Sequence, residues 1–160
     1  MKLKIFIATV VLLLSALYSI SHIEEAAREA YEEGNYCDSL KGFKRTALFS
    51  KGSGRILGSF YAGGLCVRQD IARAKEYYAP FYDNKSDLGK ALFYDAIEAV
   101  DADELIGKPI RSGEMAALLI EAKALGFQPL EKDLAELRRR NLGHDIFYTE
   151  SAKPKNSSKP

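Results

Sequence analysis

A glycine-rich corner between two short apolar segments limits what this chain can fold into more than any other feature. Ser53, Leu57 and Tyr61 recur at four-residue steps, and this spacing places them on one face of a helix. Gly63 and Gly64 then end that helix, because glycine readily adopts the left-handed backbone of a tight corner. Two helices of this length cannot bury their apolar faces alone, so we expect neighbouring helix pairs.

The segment after the corner carries the signals of a second helix. Asp70 is placed to cap its first turn, since a carboxylate accepts hydrogen bonds from unpaired backbone N–H groups. The buried stripe of this helix is expected to contain Ala74, Tyr77, Tyr78 and Phe81. A helical hairpin is therefore predicted around the corner.

The residues of this hairpin resemble the Sel-one-like repeat, a subclass of the tetratricopeptide-like helical repeats. The positions that agree in spacing are Leu57, Gly58, Tyr61, Gly64, Val67, Asp70, Ala74, Tyr77 and Tyr78. The chain departs from the pattern at Ser53, which replaces alanine, at Cys66, which replaces the second loop glycine, and at Tyr77, which replaces tryptophan. The resemblance implies an all-α fold: a short right-handed solenoid of antiparallel helix pairs, with about three repeats and a C-terminal capping helix.

The flanking segments are consistent with this architecture. Residues 23–50 resemble a first, degenerate repeat that begins with a helix over residues 23–33, and residues 88–99 follow the spacing of another first helix. The acidic residues 101–104 are then expected in a longer connection. They offer oxygen ligands for calcium, but without the glycine and distal glutamate of an EF-hand loop, so a solvated loop is the expectation.

Two further helices are predicted at residues 115–125 and 130–141, and the polar surface of the second suits a capping helix. The stretch 147–149 is the one short strand candidate. Residues 151–160 are rich in serine, lysine and proline and are expected to be disordered.

The N-terminus differs in kind from the rest of the chain. A basic start, Met1 to Lys4, precedes an apolar run from Ile5 to Ile20, which indicates either a secretory signal peptide or a membrane anchor. The small residues Ser19 and Ser21 just before His22, and the shortness of the run, favour cleavage. The predicted organisation is therefore a targeting segment over 1–21, a helical repeat domain over 22–150 and a tail over 151–160.

Charge and export together exclude a nucleic-acid-binding protein. The formal charge of +1 falls to −1 once Lys2 and Lys4 are removed, whereas binding to phosphates requires a basic face. The membrane is expected to be a partner only through the N-terminal segment, if that segment is not cleaved.

Cys37 and Cys66 are the two cysteines of the chain. An even number of cysteines in an oxidising compartment predicts a disulfide, although unbonded cysteines are also often buried. The repeat resemblance favours the bond, because it places both cysteines at corners along one edge of a solenoid. A redox-active pair is less favoured, since there is no C-x-x-C motif.

Catalytic and metal-binding motifs are not found in the sequence. His22 and His144 belong to no H-E-x-x-H array, and there is no G-x-S-x-G elbow or phosphate-binding loop. We therefore predict a protein that is not an enzyme and has no cofactor and no metal. An enzymatic alternative, known for a few relatives of this repeat class, rests only on the cysteines.

Binding is the remaining class of function. In a solenoid, the first helix of each pair lines the concave surface, and its non-core positions are free to contact a partner. These candidate contacts are Arg28, Glu29, Glu32, Arg55, Ser59, Ala62, Lys90, Tyr94 and Asp95. Tyr94 has an alternative role, which is to pack against the next helix.

The resemblance implies two functions for such a surface. Exported bacterial Sel-one-like proteins include partners that neutralise toxic effectors, such as lipases, in the periplasm. The alternative hypothesis is an envelope scaffold or adaptor that organises an assembly or signalling complex. We predict that the protein is an inhibitor of another protein, either periplasmic or anchored in the inner membrane. The alternative prediction is a scaffold. A toxin gene beside this one would favour the inhibitor.

Overall fold

The computed structural model describes residues 2–147, and within them it contains seven α-helices, a short 3-10 helix and no strand. The helices are α1 Lys2–Glu32, α2 Tyr36–Thr46, α3 Lys51–Gly63, α4 Ile71–Tyr78, α5 Lys85–Leu105, α6 Ser112–Ala124 and α7 Glu131–Arg139, followed by the 3-10 helix His144–Phe147. The all-α prediction is confirmed for this part of the chain. The predicted strand is wrong at Phe147, which is helical, and its other two residues and the predicted tail lie outside the described residues.

Consecutive helices pack as hairpins, α1 with α2, α3 with α4, and α5 with α6. Within the first hairpin, a Cβ added to Gly42 would lie 2.5 Å from the Cβ of Ala27. Within the second, a Cβ added to Gly58 would lie 2.4 Å from the Tyr78 ring. Glycine is required at both positions because the helices approach so closely. Helix α3 also packs on α2 and α5, so it joins the three hairpins.

The corner between α3 and α4 forms as the sequence predicts. Gly64 has a left-handed backbone with φ of 65°, and the N–H of Leu65 donates to the carbonyl of Phe60. The side chain of Asp70 accepts a 2.9 Å hydrogen bond from the N–H of Arg73, which caps α4. The hairpin contributes to two buried apolar clusters, Ala74 and Tyr78 to one and Leu57 and Phe60 to the other, and each of these residues is at most 1% exposed.

Helix α1 is longer than expected. The sequence predicts a targeting segment and a separate helix from residue 23, whereas the structure has one uninterrupted helix from Lys2 to Glu32. Its C-terminal part packs on α2 and buries Ala27, while apolar side chains of its N-terminal part, such as Leu12 and Leu17, are exposed. By length and composition, a membrane could be crossed by the part Thr9–Glu32.

Helix α5 also extends further than expected, and the prediction of a loop at residues 101–104 is wrong. Residues 101–104 form the last turns of the helix, and two of their carboxylates, those of Asp101 and Asp103, pair with arginines that come later in the chain. The guanidinium of Arg111 donates to both carboxylate oxygens of the buried Asp103, at 3.0 and 3.1 Å. Arg140, after α7, pairs with Asp101. The carboxylates are therefore structural ion pairs that connect α5 to α6 and α7.

Candidate functional site

Helices α1, α3 and α5 line two adjoining depressions, of about 380 and 340 Å³. Arg55, Ser59 and Glu98 belong to both, so the two depressions form one continuous concavity, which we call the groove. These three helices are the first members of the three hairpins. The groove is therefore lined mainly by the first helix of each hairpin.

The binding residues predicted from sequence converge on the groove. The lining includes Arg28, Glu32, Arg55, Ser59, Lys90, Tyr94 and Asp95. Most of these side chains are exposed or half-buried and are free to contact a partner. The prediction that Ala62 is available to a partner is wrong, because this residue is fully buried in the core. Glu29 is exposed but does not line either depression.

Asp95 requires the main correction, because it is not an exposed contact residue. It is only 6% exposed and lies in the floor of the groove, where Oδ2 accepts a 2.6 Å hydrogen bond from the hydroxyl of Tyr78. The hydroxyl of Ser59 lies 2.9 Å from the same Tyr78 oxygen. Burial raises the pKa of Asp95 to about 7, and the hydrogen bonds from Tyr78 and Ser59 act in the opposite direction. Asp95 therefore organises the floor of the groove rather than its surface.

Tyr94 lines the groove and is also tied to a neighbouring helix. It is 41% exposed in the groove, and its hydroxyl donates a 3.2 Å hydrogen bond to Asp133 of α7. Its ring also meets Phe93 edge to face. The hydroxyl of Tyr94 is therefore held by α7, while the ring remains accessible from the groove.

Sequence reasoning missed Tyr31 and Glu98, which join α1 to α5 across the groove. The hydroxyl of Tyr31 donates a 2.5 Å hydrogen bond to Oε1 of Glu98. Burial and then the neighbouring Glu98 carboxylate raise the pKa of Tyr31, which keeps the phenol protonated as a donor. A signal for Glu98 was present, since it follows Lys90 and Tyr94 at further four-residue steps along one helix face.

The groove carries both signs of charge around aromatic side chains. Arg28, Arg55 and Lys90 supply positive charge, and the acidic groups are Glu32, Asp87 and Glu98. Charges of both signs beside an exposed tyrosine suit a polar, structured surface such as that of another protein.

The two cysteines form a disulfide at a different edge of the molecule. Cys37 and Cys66 are joined with a Cα–Cα separation of 5.2 Å, which connects the first residues of α2 to the α3–α4 corner. Cys66 has a φ of 56°, a backbone conformation that favours the glycine of the repeat pattern. The bond thus explains why a strained non-glycine residue occupies this position.

No protein-family model, curated protein or solved structure matches the chain. The likeness to the Sel-one-like repeat therefore rests on the residues of the second hairpin and on the corner that they form. The groove is the feature from which a function can be argued.

Proposed function

We propose that this chain is an exported, non-enzymatic binding protein whose groove recognises another protein. One observation carries the proposal: charged and aromatic side chains from three helices, far apart in sequence, line a single continuous groove. The contacts within it, from Tyr31 to Glu98 and from Tyr94 to Asp133, hold several of these groups in place before a partner binds.

The fold that we propose for this function is a short right-handed solenoid of the Sel-one-like type. Three successive hairpins joined through α3, and a corner with Gly64 and Asp70 at the positions of the repeat pattern, support it. In this proposal, the last α-helix of the described residues, α7, is the capping helix.

The N-terminal apolar helix suggests a signal sequence or an anchor, and the disulfide suggests an oxidising, exported compartment. Within that setting we place the protein in the periplasm, either free or attached to the inner membrane.

The most concrete form of the proposal is an immunity protein that blocks a toxic effector such as a lipase. A small, pre-organised surface with both signs of charge suits a stoichiometric blocker, because fixed charges select one partner and speed its association. Capture from envelope extracts with the tagged full-length chain, followed by identification of what co-elutes, tests this function. The purified partner is then assayed for hydrolysis with increasing amounts of the chain.

Loss of the partner's activity at a one-to-one ratio supports the inhibitor, whereas binding without loss of activity supports the scaffold or adaptor. The variant Arg55→Glu with Tyr94→Ala should abolish capture of that partner. Arg68→Glu is the matched control, since it reverses an exposed arginine at the α3–α4 corner, outside the groove. Equal recovery by the groove variant would refute the groove as the binding site.

A further inference from the structure

The turn between α2 and α3, residues 47–50, presents two large apolar side chains to solvent. Leu48 is 89% exposed and Phe49 is 71% exposed. The backbone of the turn is ordered, because the N–H groups of Phe49 and Ser50 both donate to the carbonyl of Thr46 at 2.9 Å. Single exposed apolar residues are common, but two adjacent ones at the tip of a fixed turn indicate a contact surface.

The position of this turn along α1 follows from the packing of the first three helices. Gly42 lies against Ala27, so α2 runs back along α1 towards its N-terminal part. At the end of α2, Thr46 contacts Ser53 at 2.7 Å, and Ser53 in turn donates to Glu24. The turn that follows Thr46 therefore lies beyond Glu24, at the level where the apolar part of α1 ends.

The apolar part of α1 defines where a bilayer would begin. Side chains such as Leu13, Leu14 and Leu17 are exposed by 60% or more, although they are suited to hydrocarbon. The apolar run ends at Ile20, and the same helix continues without a break into the folded domain. A membrane that holds this run would have its surface next to residues 47–50.

Charge on either side of the turn fits a lipid surface. Arg45 precedes it and Lys51 follows it, and both side chains are exposed; the ammonium of Lys44, also before the turn, lies over the Tyr61 ring. Basic side chains at this depth are attracted to anionic phospholipid headgroups, while apolar side chains between them enter the interface.

We propose that, in the uncleaved chain, the α2–α3 turn is a second membrane contact, in which Leu48 and Phe49 enter the bilayer interface beside the anchor α1. A single helix leaves a domain free to rotate about the helix axis. A second contact removes that freedom, so the groove has a constant orientation relative to the membrane. This inference does not depend on the partner proposed above.

Tryptophan fluorescence tests the contact, because the chain contains no tryptophan. The full-length Phe49→Trp variant is reconstituted into vesicles of phosphatidylethanolamine and phosphatidylglycerol, with or without brominated acyl chains, which quench tryptophan on contact. Leu105→Trp is the matched control. Leu105 is 62% exposed and lies beside Gly34, at the opposite end of the domain part of α1.

We expect the Phe49→Trp emission to shift to shorter wavelength and to lose most of its intensity in brominated vesicles, whereas Leu105→Trp is unaffected. Equal quenching of the two variants, or no quenching of either, would overturn the proposal. A blue shift of Phe49→Trp without quenching would also overturn it, since it means a protein contact. If the membrane-associated form of the protein begins at His22, the anchor has been removed, and the proposed arrangement is excluded. Both substitutions are at exposed positions, and far-UV circular dichroism verifies that the fold is kept.

Discussion

The hydroxyl of Tyr78, in α4, donates a 2.6 Å hydrogen bond to the buried carboxyl group of Asp95, in α5. This contact joins the second hairpin to the third directly under the groove. Tyr78 is 1% exposed, so neither group has water as an alternative partner. The geometry of the groove floor depends on this pair.

Replacing Tyr78 by phenylalanine should destabilise the protein by about 1–3 kcal/mol, because a buried acceptor loses its donor. Chemical denaturation measures the change. In a double-mutant cycle, the same substitution in an Asp95→Ala background should cost less, since the alanine offers no acceptor to the Tyr78 hydroxyl. Additive effects of the two substitutions would contradict the direct contact.

The pH dependence of stability should reveal Asp95. Burial raises its pKa from 3.8 to about 7, so between about pH 4 and pH 7 the folded chain keeps a proton that the unfolded chain releases. The contribution of this residue to stability therefore falls as the pH rises through that range and is constant above it. Asp95→Asn should remove this slope and gain at most about 4 kcal/mol above pH 7. Thermal unfolding of both proteins from pH 4 to pH 8 is the measurement, and parallel profiles would refute the prediction.

Close helix packing at Gly58 should make even a methyl group costly. A Cβ at this position would lie 2.4 Å from the Tyr78 ring, which is itself buried. Gly58→Ala is therefore expected to lower the free energy of unfolding by about 1–3 kcal/mol or more. Gly113→Ala, in α6, is the control: a Cβ there has no neighbour within 4 Å, so better helix propensity should stabilise the protein by up to about 1 kcal/mol.

The disulfide is expected to support stability and not binding. It closes a separation of 29 residues, and its removal in Cys37→Ser with Cys66→Ser should cost about 3–4 kcal/mol. Because the bond lies outside the groove, capture of the partner should be unchanged.

Cys37→Ser with Cys66→Gly should be more stable than the double serine variant by about 1 kcal/mol, since glycine accepts the φ of 56°. Thermal unfolding under oxidising and reducing conditions compares the variants, and equal stability of the two would refute this account of position 66.

Much of the local structure was predictable from the sequence. The hairpin around Gly64, the cap at Asp70 and several of the groove residues follow from helical spacing and from capping chemistry, which act within a few residues. The burial of Asp95 could also have been predicted. It lies seven residues after Leu88, on the same helix face as the apolar stripe of α5. This spacing indicates that the position is buried, but it does not indicate which group donates a hydrogen bond to the carboxyl group.

Only the tertiary structure decided the remaining features, because their causes are contacts between distant residues. Asp95 is buried since Tyr78 of another helix supplies its donor, and Asp101 and Asp103 pair with Arg140 and Arg111, respectively. The place where α1 meets the folded domain was likewise set by the packing of α2. The sequence determined most of the helices and the corner at Gly64, but not the continuity of α1 or the full extent of α5. The structure determined which charges are paired, which charged side chains line the groove, and that Leu48 and Phe49 are exposed at the α2–α3 turn.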